Sequence, residues 1–239
     1  DDLDAAAGEL SQIMDAESNT IAANAKIVEE SDTKLSVACE ISMSGAIWRP
    51  VLRGTVTYTV YASGDLAVAY HMNTRECISP LPRFGVEFKM PADCEQLSYF
   101  GRGPVESYID KKHASRVSRY ATTVTEHFEH YVRPQESGNK TDVRYWTLTS
   151  TKGRSVTFQA TAPMECSTLP YLPADLDSGM EKNQTQKHSG DLLPRPFSVL
   201  QLQACQFGVG GVHSWGTWPL PYSQMPYQDY DFTYIVTVN

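Results

Sequence analysis

Aromatic side chains are concentrated in the Gly- and Pro-rich segment 208–230 near the C-terminal end of the sequence. They are Trp215, Trp218, Tyr222, Tyr227 and Tyr230. Tryptophan in such a segment is poorly placed for a core strand, and a flat indole can stack on the apolar C–H face of a pyranose ring while nearby polar groups bind the hydroxyls. Aromatic loops also seal the ends of β-sandwiches, so composition alone leaves sugar binding and packing equally open.

The sequence gives less support to a metal site or a catalytic site built on histidine, cysteine or serine. His127 and His130 are three residues apart, but no carboxylate or thiol stands at a spacing that completes a metal site. Both are therefore predicted to be solvated surface side chains, and no metal site is expected in this chain. The sequence has no GxSxG and no HExxH motif. Its five cysteines are scattered without a CxxC pair, which predicts buried free thiols rather than disulfides or a zinc site.

Three carboxylates stand beside Gly and Pro residues and invite a catalytic interpretation. They are Glu106, Asp110 and Glu136. A carboxylate in that setting usually accepts hydrogen bonds in a turn or cap, so we predict structural roles for all three. Arg102 and Arg144 are candidate ion-pair partners for these acids.

Composition restricts the kinds of partner. The 239 residues include 41% hydrophobic and 20% charged residues, which is typical of a globular protein. The net charge is -8, and no basic stripe is present that could neutralise phosphates, which argues against nucleic acid as a partner. No run approaches the roughly 18 apolar residues of a membrane-spanning helix, so we expect a soluble protein with no membrane partner.

Period-two alternation of apolar and polar residues dominates the chain and predicts β-strands. Two hairpins are predicted, 55–60 with 66–72 and 143–150 with 155–160, the second through a turn in which Gly153 supplies a positive φ. Further strands are predicted at 35–41, 83–90, 97–100, 199–207 and 232–238. Short strands separated by Gly and Pro favour an all-β fold, a large antiparallel β-sandwich, over an α/β architecture.

Three segments do not follow the strand pattern. Residues 3–14 are Ala-rich and predict a helix, and residues 126–131 predict about one helical turn. Residues 163–196 contain five prolines and little periodicity, so they are predicted to form a long loop. Loops of that length in a compact domain are often functional.

Four ordered blocks of sequence resemble one known family. They are PRFGVEF at 82–88, YFGRGPVESYID at 99–110, YVRPQESGNKTDVR at 131–144 and GVGGVHSWG at 208–216. In this order they resemble the C-terminal domain of β-galactosidases of glycoside hydrolase family 2, called the small chain domain. The blocks span residues 82 to 216 and the flanking strands are compatible, so the resemblance covers nearly the whole chain.

The resemblance implies a β-supersandwich of the galactose mutarotase-like type, with residues 1–239 forming a single domain of a larger enzyme. The chain starts without a methionine, which also favours a piece of a longer protein. The family hydrolyses terminal β-D-galactosides such as lactose with retention, using two glutamates. The family places those glutamates in an upstream TIM-barrel domain, so no catalytic residue is expected here and the chain alone is expected to be inactive.

The resemblance also implies partners and cofactors. The expected partners are the upstream barrel and sandwich domains, the galactoside substrate and further copies of the full enzyme in a homo-oligomer. Magnesium and sodium are expected only in the upstream domains. Any targeting signal would lie upstream, and the scattered cysteines lean towards a reducing compartment.

The resemblance assigns substrate binding to Trp215, the tryptophan of the Gly-Gly-x-x-Ser-Trp block, as a stacking platform in the catalytic pocket. Val212 and His213 stand where the family often has acidic residues, and His213 and Trp218 are secondary candidates for the same site. For Trp218 and Tyr222 packing is the favoured interpretation.

Two other functions remain as alternatives. A free-standing carbohydrate-binding module fits a sandwich that presents a sugar-binding face without catalysis. A mutarotase-type epimerase would need a histidine base beside a carboxylate, and His71, His113 and His188 match no such motif.

Overall fold

The structure is a computed structural model that describes residues 20–44, 50–75, 81–176, 188–210, 213 and 217–239. The helix predicted for residues 3–14 lies outside these residues. Within the described part of the chain, no helix is both long and apolar enough to span a lipid bilayer.

Antiparallel strands make up the framework, which confirms the predicted all-β class. Both predicted hairpins are confirmed, β3 with β4 and β8 with β9, and Gly153 has a φ of 82° in the turn between β8 and β9. The described residues form β1 (Thr20–Glu30), β2 (Lys34–Met43), β3 (Leu52–Tyr61), β4 (Leu66–Thr74), β5 (Arg83–Pro91), β6 (Gln96–Gly103), β7 (Arg116–Thr123), β8 (Lys140–Thr149), β9 (Ser155–Leu169), β10 (Phe197–Gln206) and β11 (Tyr230–Val238).

The strands form one continuous sheet that branches at β9. Its main order is β1-β2-β3-β4-β11-β9-β8-β6-β7. Residues 156–160 of β9 pair with β11, whereas residues 165–169 pair with β10, and β5 pairs with β10. The branch brings the β5–β10 pair over the face of the main sheet.

Aromatic contacts between β5 and β11 show that these strands face each other across the core. The rings of Phe84 and Tyr230 have centroids 5.0 Å apart, and the rings of Phe88 and Tyr234 have centroids 6.1 Å apart. Trp146 on β8 is fully buried, and its Nε1 donates to Thr168 Oγ1 at 2.9 Å, so its polar atom is satisfied inside the core. The main cluster of buried side chains thus includes residues of both parts of the branched sheet.

The prediction of a loop over residues 163–196 is wrong at its start, because β9 continues to Leu169. Pro163 lies between the stretch of β9 that pairs with β11 and the stretch that pairs with β10. A proline at such a change of partner removes no ladder hydrogen bond and is tolerated within the strand. The described remainder contains only a short helix, α1 (Pro173–Leu176), and a 3₁₀ turn at Ser189–Asp191.

The helical turn predicted for residues 126–131 is also wrong in its position. The turn lies at 124–127, where the His127 N–H donates to the Thr123 carbonyl at 3.0 Å, and residues 129–131 are not helical. Strands β1 and β7 had no counterpart in the sequence prediction. Both carry mostly exposed side chains, so neither has the buried alternate face that period-two reasoning detects.

Candidate functional site

The connection between β10 and β11 is a loop whose two ends are tied together at one end of the sheet. At its neck the Gly208 N–H donates to the Ser223 carbonyl at 2.8 Å, and just before it the Phe207 N–H donates to the Pro82 carbonyl at 2.9 Å. The returning limb contains a 3₁₀ turn at Pro221–Ser223, and Gln224 Nε2 donates to the Pro219 carbonyl at 2.7 Å. This loop, residues 208–223, contains Trp215, Trp218 and Tyr222 of the aromatic segment singled out in the sequence, and we call it the aromatic loop.

Asp110 holds the first limb of the aromatic loop. Its Oδ2 accepts the Gly210 N–H at 2.8 Å and its Oδ1 accepts the Val209 N–H at 3.3 Å. A Cβ atom built at Gly208 would lie 2.5 Å from Asp110 Oδ2. Glycine is therefore required at position 208 for the carboxylate to approach the backbone this closely.

Asp110 sits on a tight turn that Glu106 braces from below. Within the turn, the N–H groups of Tyr108 and Lys111 donate to each other's carbonyls at 3.1 and 2.9 Å. Glu106 is 3% exposed and accepts hydrogen bonds from Lys111 Nζ at 2.8 Å and from the Tyr108 hydroxyl at 3.3 Å. One buried carboxylate thus fixes both ends of the turn that presents Asp110.

The same carboxylate binds the segment that precedes β8. Glu106 accepts from the Gly138 N–H at 3.0 Å and from the Tyr131 hydroxyl. Burial alone would raise the pKa of Glu106, but the hydrogen bonds from Lys111, Tyr131 and Gly138, together with the charge of Lys111, outweigh burial and lower the pKa. Glu106 is therefore an ionised hydrogen-bond acceptor, which agrees with the structural role predicted for it.

The sequence-based prediction that Arg102 and Arg144 form ion pairs with the three turn acids is wrong. Arg102 pairs with Asp142, and Arg144 donates to the Asp142 carbonyl, so neither pairs with the three turn acids. Glu136 instead pairs with Arg83 on β5 at 2.5 Å. That ion pair ties residues 131–139 to the block at 82–88, so all four sequence blocks meet at this end of the sheet.

Two basic side chains lie buried beneath this network. His127 is 4% exposed, and the prediction that it is a solvated surface residue is therefore wrong, whereas His130 is exposed as predicted. Burial and the nearby charge of Lys140 lower the pKa of His127 well below its usual value, so the ring is neutral. Burial lowers the pKa of Lys140 to about 8, although Glu129 and Glu106 favour its charged form.

A third buried group, Glu165, lies next to this network on β9. Asn139 Nδ2 donates to its Oε2 at 2.6 Å. Burial raises the pKa of Glu165 to about 7, even though Asn139 and the Gln206 N–H hydrogen-bond its carboxylate. Ionised Glu165 is consequently unfavourable in the folded protein.

We expect Glu165→Gln to stabilise the protein in a pH-dependent manner. Because the folded pKa is above the unfolded value of 4.5, the stability that protonated Glu165 contributes is full below pH 4.5 and is lost as the pH rises through about 7. Glutamine keeps the Asn139 hydrogen bond without the charge. The gain in unfolding free energy over the parent should therefore rise from near zero at pH 4.5 to about 1–3 kcal/mol at pH 8.

Urea unfolding of both proteins at the two pH values measures this gain. Lys140 titrates in both proteins, so its contribution cancels from the comparison. The matched control is Glu30→Gln at an exposed position on β1, for which we expect a gain near zero at either pH. An equal gain at pH 4.5 and pH 8 for Glu165→Gln would contradict the raised pKa.

The structure describes the two secondary candidates of the aromatic loop. His213 is exposed, and its Nε2 lies 2.5 Å from Thr217 Oγ1. Trp218 is 39% exposed and lies edge-on to Phe207, with ring centroids 6.4 Å apart, so its ring contacts Phe207 and is also accessible to solvent. Tyr222 is 73% exposed, so the packing role predicted for it is wrong. Trp215 lies outside the described residues.

A separate groove lies between the two parts of the sheet. It has a volume of about 310 Å³ and a mostly apolar wall that includes Tyr58, Tyr70, Phe88 and Tyr234. Its wall follows β11 from Tyr234 to Val236, whereas the aromatic loop joins β11 at Tyr230. The groove and the aromatic loop are therefore distinct features.

Neither a metal site nor a disulfide is found among the described residues. The described residues contain no cluster of three or more His, Cys, Asp or Glu side chains that could hold a metal ion. Cys39, Cys94, Cys166 and Cys205 are free thiols, as predicted. Cys94 and Cys166 are buried as predicted, whereas Cys39 and Cys205 are only partly buried.

The fold and the site together define a β-sheet domain whose candidate site is the loop between β10 and β11. The chain belongs to the β-galactosidase small chain family, whose model matches residues 4–236. A β-galactosidase of Priestia megaterium is 34% identical over 160 residues, which are 67% of this chain and 15% of that protein. A β-galactosidase of Halalkalibacterium halodurans is 32% identical over 188 residues, 77% of this chain and 18% of that protein. The chain thus spans less than a fifth of these relatives.

Two matches among the solved structures carry the names of sugar-converting enzymes. A galactose mutarotase related enzyme from Lactobacillus acidophilus has a TM-score of 0.40 and 7% identity, with 91% of this chain and 71% of that chain covered. An aldose epimerase homologue from C. elegans has a TM-score of 0.38 and 10% identity, with 91% of this chain and 69% of that chain covered.

Proposed function

We propose that this chain is the C-terminal domain of a β-galactosidase that hydrolyses terminal β-D-galactosides such as lactose with retention, and that its aromatic loop completes the rim of the active site. The two catalytic glutamates lie in another domain of the same enzyme, as do any magnesium and sodium ions. In this proposal Trp215 stacks on the galactosyl ring, and His213 and Trp218 border that platform.

One observation carries the proposal: the loop that contains the aromatic segment is closed at its neck and clamped by a carboxylate. Binding a sugar requires ordering of the side chains that contact it, and a loop whose two ends are already held loses less entropy when substrate binds. Asp110 holds residues 209 and 210 of the first limb, and the hydrogen bond between Gly208 and Ser223 joins the two ends.

The partners of the domain are the remaining domains of the same polypeptide and, in the assembled enzyme, further copies of it. Strands β1 to β3 support this proposal because they expose large apolar side chains that a neighbouring domain would bury. These side chains are Ile21, Ile27, Val28, Leu35, Val60 and Tyr61, between 38% and 63% exposed.

Hydrolysis of a chromogenic β-galactoside tests the proposal directly. We expect no turnover by the chain alone, much weaker turnover at low substrate concentration by the rest of the parent enzyme alone, and higher activity after the two parts are mixed. The physical reason is that the acid and the nucleophile lie on one part and the stacking platform on the other. Turnover by the isolated chain would mean that it contains its own catalytic carboxylates.

A carbohydrate-binding module is the second candidate, and the tyrosine-lined groove is the observation that favours it. Tyrosine rings can stack on a sugar ring while their hydroxyls bind its polar groups. Calorimetric titration of the chain with galactose distinguishes the two functions. Sub-millimolar binding that Tyr70→Ala abolishes would favour a binding module, whereas a domain that contributes one platform should bind galactose only weakly by itself.

A further inference from the structure

The apolar face on which β5 packs continues past β5 onto strands that the described residues leave uncovered. Residues paired across neighbouring strands lie on the same face of a sheet. One such row of pairs joins Tyr234, Val68, Tyr58, Val37 and Ile27, from β11 to β1. Tyr234 and Val68 are each 2% exposed, whereas Tyr58 is 38% and Ile27 is 60% exposed. The core face of the main sheet therefore runs out from under its cover at β3.

A neighbouring row on the same face shows the same change. It joins Val236, Leu66, Val60 and Leu35. Val60 is 51% and Leu35 is 39% exposed, although both continue a row that is partly buried on β4 and β11. We call the exposed part of the two rows the uncovered stripe, which consists of Ile27, Leu35, Val37, Tyr58 and Val60. A contiguous apolar surface of this kind marks a place that another polypeptide covers.

Strand β5 borders the uncovered stripe with one edge open. Among the described residues, β5 pairs with β10 alone, along its whole length from Arg83 to Pro91. In an antiparallel pair, alternate residues direct their N–H and C=O groups away from the partner strand. About half of the backbone groups of β5 therefore face the side opposite to β10. A long open edge of this kind is a template for pairing with a further strand.

The open edge and the stripe meet at the tyrosine-lined groove. Phe84 contacts Tyr230 and Phe88 contacts Tyr234, so β5 and β11 run in the same direction and the two layers are aligned. The groove has Phe88 of β5 on one side and Tyr58 of β3 on the other, so it lies where the cover ends. Strands in a sheet are about 4.8 Å apart, so three uncovered strands leave room for about two or three strands beside β5.

We propose that β5 is an interior strand in the parent enzyme: an extended segment from the remainder of that polypeptide pairs with the open edge of β5 and lays alternate apolar side chains on the uncovered stripe. This inference deepens the proposed function and rests on it, because it takes the other domains of the same polypeptide as the partner. The relatives support that occupant, since this chain spans 15% and 18% of their lengths. Strand addition obtains affinity from main-chain hydrogen bonds and specificity from pockets for alternate side chains, and the groove is one such pocket.

Residue-resolved hydrogen–deuterium exchange in this chain and in the full-length parent enzyme tests the proposal without reference to catalysis. In the chain alone, the amides of residues 84–90 that point away from β10 should exchange at least about 100-fold faster than those that point towards it. In the parent enzyme this ratio should fall below about tenfold, because both sets are hydrogen-bonded. Residues 199–203 of β10 pair with both β5 and β9, and as the internal control they should be protected in both proteins.

Other results would overturn the proposal. An unchanged ratio in the parent enzyme would mean that β5 is an edge strand there too. Protection of both sets of β5 amides in the chain alone would assign the added strand to this chain itself. If that protection rises with the concentration of the chain, the added strand belongs to a second copy.

Val60→Asp tests the cover over the stripe. In the chain alone residue 60 is accessible to solvent, so this variant should have the same urea midpoint as its matched control Val117→Asp, an exposed valine on β7 at the opposite edge of the sheet. In the parent enzyme the carboxylate of Val60→Asp would be buried without a partner, so we expect the apparent Tm to fall by about 5 °C or more relative to Val117→Asp. Equal Tm values for the two variants in the parent enzyme would contradict a cover over the stripe.

Turnover of a β-galactoside by the parent enzyme separates this inference from the proposed function. If the parent protein protects both sets of β5 amides but hydrolyses no β-galactoside, the proposed function is rejected and strand addition stands. If it hydrolyses β-galactosides while β5 keeps the exchange pattern of an edge strand, strand addition is rejected and the proposed function stands.

Discussion

Trp215→Ala in the full-length enzyme should raise KM for lactose about 10- to 100-fold while kcat changes much less. Tryptophans that anchor an interface typically contribute 2 kcal/mol or more, and each 1.4 kcal/mol corresponds to a factor of ten. A stacking platform contacts the galactosyl ring in the bound substrate as well as in the transition state, so its loss is felt mainly in binding. Steady-state kinetics with lactose and with a chromogenic β-galactoside measure both constants.

Two further variants sharpen this prediction. Trp215→Phe retains a flat ring of smaller area and should give an intermediate KM. Val238→Ala shortens an exposed side chain at the end of β11 opposite to the aromatic loop and should leave both constants unchanged. An unchanged KM for lactose in Trp215→Ala would remove Trp215 from the site.

The largest effect on stability is expected from Glu106→Ala. The change removes the acceptor of four hydrogen bonds, from Lys111, Tyr108, Tyr131 and the Gly138 N–H. Lys111 is about half exposed and can be hydrated after the change, but the buried Gly138 N–H and Tyr108 hydroxyl lose their acceptor. Donors left unsatisfied in this way predict a loss of about 3 kcal/mol of unfolding free energy at pH 7.

The pH dependence of this loss follows from the pKa. The folded pKa of Glu106 is below its usual value of 4.5, so its stabilising contribution is full above pH 4.5 and is lost as the pH falls through the lowered folded pKa. The difference between the parent and Glu106→Ala should therefore shrink in acid. Urea unfolding measures it, with exposed Glu126→Ala as a control that should change stability by less than about 0.5 kcal/mol. A difference of that small size for Glu106→Ala would show that the network contributes little.

The strands of the core could be predicted from the sequence because they alternate between a buried and an exposed face. Strand β6, for example, buries Leu97 and Tyr99, and the side chains on either side of each are more exposed. Strand β1 could not, because all of its side chains are exposed and no buried face marks it. The continuation of β9 through Pro163 could not either, because the change of pairing partner that tolerates the proline is a property of the assembled sheet.

The candidate site was predictable in its residue types but not in its contacts. The Gly-rich setting of Asp110 and Glu106 indicated turn ligands, and the structure places both in hydrogen bonds. The contact between Asp110 and Gly210 joins segments about 100 residues apart, and no local spacing encodes it. Only the two glycines at 208 and 210 hinted at a close approach, without showing what approaches.

Strand β9 has a consequence for how the domain unfolds. Its 15 residues belong to both parts of the branched sheet, the first stretch through β11 and the second through β10. Neither part can therefore come apart while the other keeps a complete β9, so the two parts form one cooperative unit. A destabilising change near the aromatic loop accordingly lowers the stability of strands at the opposite edge of the sheet as well.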